Sequence, residues 1–217
     1  MVVNSGGRLE GMGSFTGPLT LKAGAAIAPG KINGAGMLVA GGLAIGSIDA
    51  VNGLNSGSGS GYTTTLFGGA NYIWLLGNAT GAQGTDYSVL NLNGGALALD
   101  ASATPSTPFK IKPVTFDPNT GIPSPISFTP STAYQWNIIT GASNPGAIDL
   151  SKFTVDPSAF QNLSYAGTFG LEVIGNSLVL DFTTTATAIP EPAAGAALAG
   201  ALALAGAVWR RKKTRRV

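Results

Sequence analysis

Gly94-Gly95-Ala96-Leu97-Ala98-Leu99 sets out a short plan, glycine followed by apolar residues at alternate positions. The plan recurs at Gly17-Pro18-Leu19-Thr20-Leu21, Gly41-Gly42-Leu43-Ala44-Ile45 and Gly175-Asn176-Ser177-Leu178-Val179-Leu180-Asp181-Phe182. Successive side chains of a strand point to opposite faces, which puts Leu178, Leu180 and Phe182 on one face and Val179 and Asp181 on the other. The same patterning predicts strands over 62–67, 72–76, 87–92, 109–116, 134–140, 153–155 and 168–174. No segment before residue 190 carries a helix period. Many short strands jointed by Gly, Asn, Asp and Ser fit a solenoid, a sandwich or a barrel. The strands are very short, and two-residue hairpin signals between matched long strands are missing. An all-β, parallel β-helix (solenoid)-like body is therefore expected, with a β-sandwich as the alternative.

Composition divides the chain further. Residues 1–60 hold 15 Gly and one aromatic, Phe15, whereas 15 aromatics fall in 61–182. The expected parts are a Gly-rich β-repeat segment (1–60) and an aromatic-containing β-rich segment (61–183) that continues or caps the solenoid. A linker (184–192), a transmembrane helix (193–209) and a basic tail (210–217) follow. The joint Asn55-Ser56-Gly57-Ser58-Gly59-Ser60-Gly61 reads as a flexible turn; no Lys and no helix pattern follow it, as a phosphate-cradling loop would require. Seven of the 13 prolines lie between Pro105 and Pro130, which predicts a projecting loop or a sheet edge, with Asp117-Pro118-Asn119-Thr120-Gly121 as a turn.

The chain has 217 residues with no Cys and no His. Nucleophile pairs built on thiol or imidazole, Cys/His zinc sites, His-held haem and disulfides are excluded within it. The formal charge of +2 conceals two opposite parts. Residues 1–189 carry six basic and nine acidic groups, net −3, so the body has no electrostatic footprint for nucleic acid. The other basic groups, Arg210, Arg211, Lys212, Lys213, Arg215 and Arg216, crowd the last eight residues.

Ahead of that cluster, Ala193 to Trp209 runs 17 residues without a charge. As a helix it would cover roughly 26 Å, the short limit for crossing a bilayer. Nine Ala and three Gly leave Leu198, Leu202, Leu204 and Val208 to drive insertion, worth only about 2 kcal/mol. The basic cluster orients the C-terminus to the cytoplasm, and Trp209 falls where an interfacial aromatic belongs. Pro190, Glu191 and Pro192 stand between the Thr-rich stretch 183–187 and the apolar run, and two prolines in three residues make that junction extended.

Pro-Glu-Pro, a short apolar helix and a terminal Arg/Lys cluster, in that order, resemble the PEP-CTERM sorting signal of bacteria. The resemblance implies recognition by an exosortase, cleavage near Pro190, Glu191 and Pro192, and transfer to the cell envelope, surface or exterior. Leu21-Lys22-Ala23-Gly24-Ala25-Ala26-Ile27-Ala28-Pro29-Gly30 is similar to the autotransporter-associated β-strand repeat, whose proteins are expected to form parallel β-helices. Such export implies a secretory signal peptide. Met1-Val2-Val3-Asn4-Ser5-Gly6-Gly7-Arg8 lacks the basic and apolar regions of one, so the chain is expected to be the C-terminal portion of a longer protein.

An enzyme reading would have to rest on carboxylates, and Asp86, Asp100, Asp117, Asp149, Asp156 and Asp181 are the candidates, though no spacing singles out a pair. The i, i+2 pairs Tyr72 with Trp74 and Tyr134 with Trp136 could stack sugars, but strands more often bury such pairs. The sequence thus predicts a non-enzymatic, exported structural or adhesion-type protein without metal or cofactor. Its expected partners are an exosortase, membrane lipid through the helix, and extracellular polysaccharide. A carbohydrate-binding or polysaccharide-cleaving β-helix with the same tail is the alternative.

Overall fold

The computed structural model of the chain describes residues 1–32, 38–45, 61–162 and 165–188. The Ser/Gly joint, the Pro190–Pro192 motif, the apolar run and the basic cluster lie outside them. Among the described residues the protein is all-β: the helical turns are three single 3-10 turns, and no helix is long and apolar enough to cross a membrane.

Among the described residues, sixteen strands build three sheets. In chain order they are β1 (Val2–Val3), β2 (Arg8–Gly11), β3 (Gly13–Phe15), β4 (Leu19–Leu21), β5 (Ala26–Ile32), β6 (Leu38–Ala40), β7 (Gly42–Ile45) and β8 (Thr63–Leu66). There follow β9 (Asn71–Leu76), β10 (Val89–Asn91), β11 (Ala96–Leu99), β12 (Phe109–Thr115), β13 (Ala133–Thr140), β14 (Phe153–Val155), β15 (Tyr165–Ile174) and β16 (Ser177–Ala188). The first sheet has the order β1-β4-β8-β11, the second β2-β5-β9-β12-β14 with β6 added beside β5, and the third β3-β7-β10-β13-β16-β15. The chain visits the sheets in a fixed rotation, so that β1, β2, β3 make one circuit, β4, β5, β7 the next, then β8, β9, β10 and β11, β12, β13. Every pairing between successive circuits is parallel. Parallel neighbours need a long crossover, and here the other two sheets supply it.

Glycine makes the corners. Asn4 to Gly7, Lys22 to Ala25 and Phe67 to Ala70 each close a four-residue turn by an i to i+3 hydrogen bond, Gly7 N–H to Asn4 O (2.8 Å), Ala25 N–H to Lys22 O (2.9 Å) and Ala70 N–H to Phe67 O (3.2 Å). At the third position of each turn stand Gly6, Gly24 and Gly69, all at φ +76°, the left-handed geometry a type II turn demands there. These three glycines stack, with Gly6 N–H donating to Gly24 O (3.1 Å), Gly24 to Gly69 O (3.1 Å) and Gly69 to Pro108 O (3.0 Å). One corner of three circuits is thereby welded into a column. The fourth circuit departs from it through the insertion around Thr104–Thr107, which carries its own reciprocal backbone bonds.

Inside, like side chains stack in register from circuit to circuit. Leu9, Ile27, Tyr72, Ile111 and Val155 align across the second sheet. Leu43, Leu90, Ile139 and Leu178 align across the third. These columns belong to one continuous apolar core. The hydrophobic effect rewards such stacking because each added circuit buries the exposed end of the one before it.

The proline-rich interval divides. Pro113 sits inside β12, opposite Trp74. The amides of Lys110 and Phe116 point toward β9, bonding Ala70 O and Leu76 O, so alternation turns the position of Pro113 to the other side. There β14 pairs only with Phe109, Lys110 and Ile111, and no ladder bond is lost. The turn expected at Asp117 forms: Gly121 N–H donates to Asp117 O (2.7 Å), and the Asp117 carboxylate accepts from Asn119 N–H (2.9 Å) and the Thr120 hydroxyl (3.1 Å).

The winding ends in a change of direction. β16 pairs antiparallel with β13, and β15 antiparallel with β16, so a hairpin closes the third sheet. Leu178, Leu180 and Phe182 face inward and are buried, as their alternation predicts.

Candidate interaction surface

The six candidate aspartates are dispersed. Asp100 accepts from Ser102 N–H (2.9 Å), Asp149 from Ser151 N–H (3.1 Å) and the Ser151 hydroxyl (2.7 Å), and Asp156 from Ser158 N–H (3.2 Å). Asp86 accepts from Ala82 N–H (2.7 Å) within its own loop. Each therefore serves a turn, the role that lets Asp compete with regular structure locally. Hydrogen bonds hold four carboxyls below the ordinary range: the backbone of Ser102 for Asp100, the backbone of Asn119 for Asp117, the Ser151 side chain for Asp149 and the Ser158 side chain for Asp156. A general acid needs the opposite shift. Asp181 lies in β16 opposite Gly170 and Gln135, and its Oδ1 is buried without a hydrogen-bond partner. Among the described residues no three acidic, Cys or His side chains gather as a metal site would require.

The aromatics are interior. Tyr72 and Trp74 are wholly buried and Trp136 nearly so. Burial obliges their polar tips to find partners, and they do: Tyr72 Oη donates to Ile138 O (2.8 Å), Trp74 Nε1 to Ser88 O (2.7 Å) and Trp136 Nε1 to Ala79 O (2.9 Å). Desolvation pushes the Tyr72 phenol well above its ordinary value. Tyr134 stacks on Trp136 with ring centroids 5.9 Å apart and donates no face to solvent, being 8% exposed. Sugar stacking on these four rings has no access.

From Trp74 the rings run as a chain toward the C-terminal end: Trp74 to Trp136 at 5.2 Å, Phe128 to Tyr134 at 5.0 Å, Phe128 to Phe182 at 5.0 Å, Phe160 to Phe182 at 5.0 Å and Phe160 to Phe169 at 4.8 Å. The chain surfaces at Phe169. The reason is a stagger: the first sheet has four strands, the path of the second five and the third six. The inner face of β15 thus stands above the last strands of the other sheets, and Phe169, Leu171 and Val173 are only half-buried. Below it opens a groove of about 840 Å³ between β14 with its flanking 3-10 turns and the β15–β16 hairpin. Phe153 and Phe182 form its buried floor, Leu150, Phe160, Phe169 and Leu171 its walls, and no charged side chain lines it. Asp149 and Asp156 position two of those walls by capping Leu150–Lys152 and Pro157–Ala159.

Sequence reasoning passed over this groove, since the residues that make it are ordinary strand and turn apolars. The one signal was Thr168 to Ile174, whose alternation marks an inward face without saying that nothing opposes it. Comparison with protein-family models, curated proteins and solved structures returned no significant match.

Proposed function

We propose that the described body is a three-sided parallel β-helix and that the protein is an exported bacterial envelope or surface protein of structural or adhesion type, delivered by its C-terminal tail. The observation that carries this reading is the order of the last thirty residues. Strand β16 ends at Ala188, Pro190-Glu191-Pro192 follows within two residues, and then come the uncharged run and the basic cluster. A span of marginal hydrophobicity holds a substrate at the membrane long enough for processing and makes a poor permanent anchor. Pro190, Glu191 and Pro192 act in this reading as the exosortase recognition motif, and Arg210, Arg211, Lys212, Lys213, Arg215 and Arg216 keep the terminus cytoplasmic until cleavage.

The body supports a scaffold rather than a catalyst. Asp86, Asp100, Asp117, Asp149 and Asp156 hold turns, Tyr72, Trp74 and Trp136 fill the core, and the groove between β14 and the β15–β16 hairpin is lined by no charged side chain. A solenoid of stacked circuits presents surface for adhesion, with extracellular polysaccharide as the expected partner class. Replacing Pro190, Glu191 and Pro192 together by Ala in the source cell tests the delivery step. Membrane-trapped, full-length protein is expected on fractionation and immunoblotting, and unchanged processing and location would refute the proposal.

A further inference from the structure

We propose that, before the tail is processed, the apolar groove beneath β15 lies against the bilayer and takes lipid acyl chains as its occupant. The inference rests on the reading of 193–209 as a membrane span. Four residues, 189–192, separate the end of β16 from that run. Two of them are prolines, and at about 3.4 Å per residue the gap from Ala188 to Ala193 covers at most roughly 17 Å. The body is held that close to the membrane by the corner from which the chain departs.

That corner belongs to the groove. Ala188 pairs with Tyr165 at the start of β15; Thr184 pairs with Gly167 and Phe182 with Phe169, both members of the groove lining. The end face presented toward the bilayer is therefore the staggered one, with the half-buried Phe160, Phe169 and Leu171 open to it. Aromatic and aliphatic side chains favour the interfacial zone, where their apolar bodies leave water. The groove lining itself holds no charged side chain, so the contact is apolar and insensitive to salt.

The chain has no cysteine, which permits single-site labelling without background. Full-length Leu171→Cys, Thr168→Cys, Met12→Cys and Leu202→Cys variants, each carrying an environment-sensitive fluorophore, are reconstituted into phosphatidylcholine vesicles with brominated acyl chains. Met12 is half-exposed and follows β2 in the first circuit, the opposite end of the winding. Thr168 is exposed on the groove rim, so its variant keeps the test alive should Leu171→Cys fail to fold. At least twofold quenching is expected at Leu202, Leu171 and Thr168, none at Met12, with no change at Leu171 on raising salt. Quenching at Leu202 without quenching at Leu171 or Thr168 would overturn the groove proposal while leaving the span intact. An unquenched Leu202 would remove both. A blue-shifted Leu171 label that ignores bromine and responds to protein concentration would assign the groove to a second copy of the chain, and so against lipid.

Discussion

At the scale of single residues, two adjacent glycines at one corner do different jobs and should fail differently. Gly69 holds φ +76° with open space around it, the nearest atom to an added Cβ being 4.0 Å away on Thr107. Gly69→Ala therefore costs only the left-handed backbone strain, about 1–2 kcal/mol. At Gly68 an added Cβ would stand 2.3 Å from Ser102 O and 2.4 Å from Thr107 O, both backbone atoms that cannot step aside. Gly68→Ala is expected to cost about 3 kcal/mol, at the upper end of overpacking, because the whole insertion must move. Urea unfolding midpoints rank the two. The turn aspartates give a pH dependence of definite sign. Asp100, Asp117, Asp149 and Asp156 are all held below their ordinary value of 3.8 in the folded chain. Their contribution is present above that value and is lost as pH falls through the lowered folded values. Replacing all four by Asn keeps an acceptor for each turn and should flatten the fall in Tm below about pH 5. An equally steep fall would assign acid sensitivity elsewhere.

At the scale of elements, the closing hairpin depends on one buried hydroxyl. The Thr184 Oγ1 accepts from Thr132 N–H (3.0 Å) and donates to Thr129 O (2.7 Å), fastening β16 to the turn that precedes β13. Thr184→Val keeps the volume and strands both backbone groups, a loss of about 1–3 kcal/mol. Hydrogen exchange should report it first in β15 and the end of β16. Much of this architecture was legible locally. Leu97, Leu178, Leu180, Tyr72 and Phe153 lie in strands where their alternation places them, because period two is the pleat itself. The alternation left strands β1, β2, β3, β5 and β6 unpredicted. Gly13-Ser14-Phe15 has no alternating pattern to read; it is extended because β7 offers it a parallel partner from Leu43 to Ile45. Pairing across a circuit is non-local, and no window of sequence contains both halves.

At the scale of the molecule, the boundary in composition between the Gly-rich and aromatic-rich parts does not divide the sheets. β4 pairs with β8, β5 with β9 and β7 with β10, each across that boundary. Small side chains in the early circuits and large ones in the later circuits fill one core, whose aromatic content rises toward the C-terminal end. The groove emerges there from the unequal lengths of three sheets, a property of the assembled winding and of no segment in it. In the proposed function this β body is joined to a tail that an exosortase would read and remove on export. Mass spectrometry of the C-terminal peptide of the mature protein, recovered from the envelope or medium of the source cell, tests that junction most directly. The predicted result is a chain that ends near Pro190, Glu191 and Pro192 and lacks Arg210 to Arg216; a surface-located protein that still ends at Val217 would contradict it.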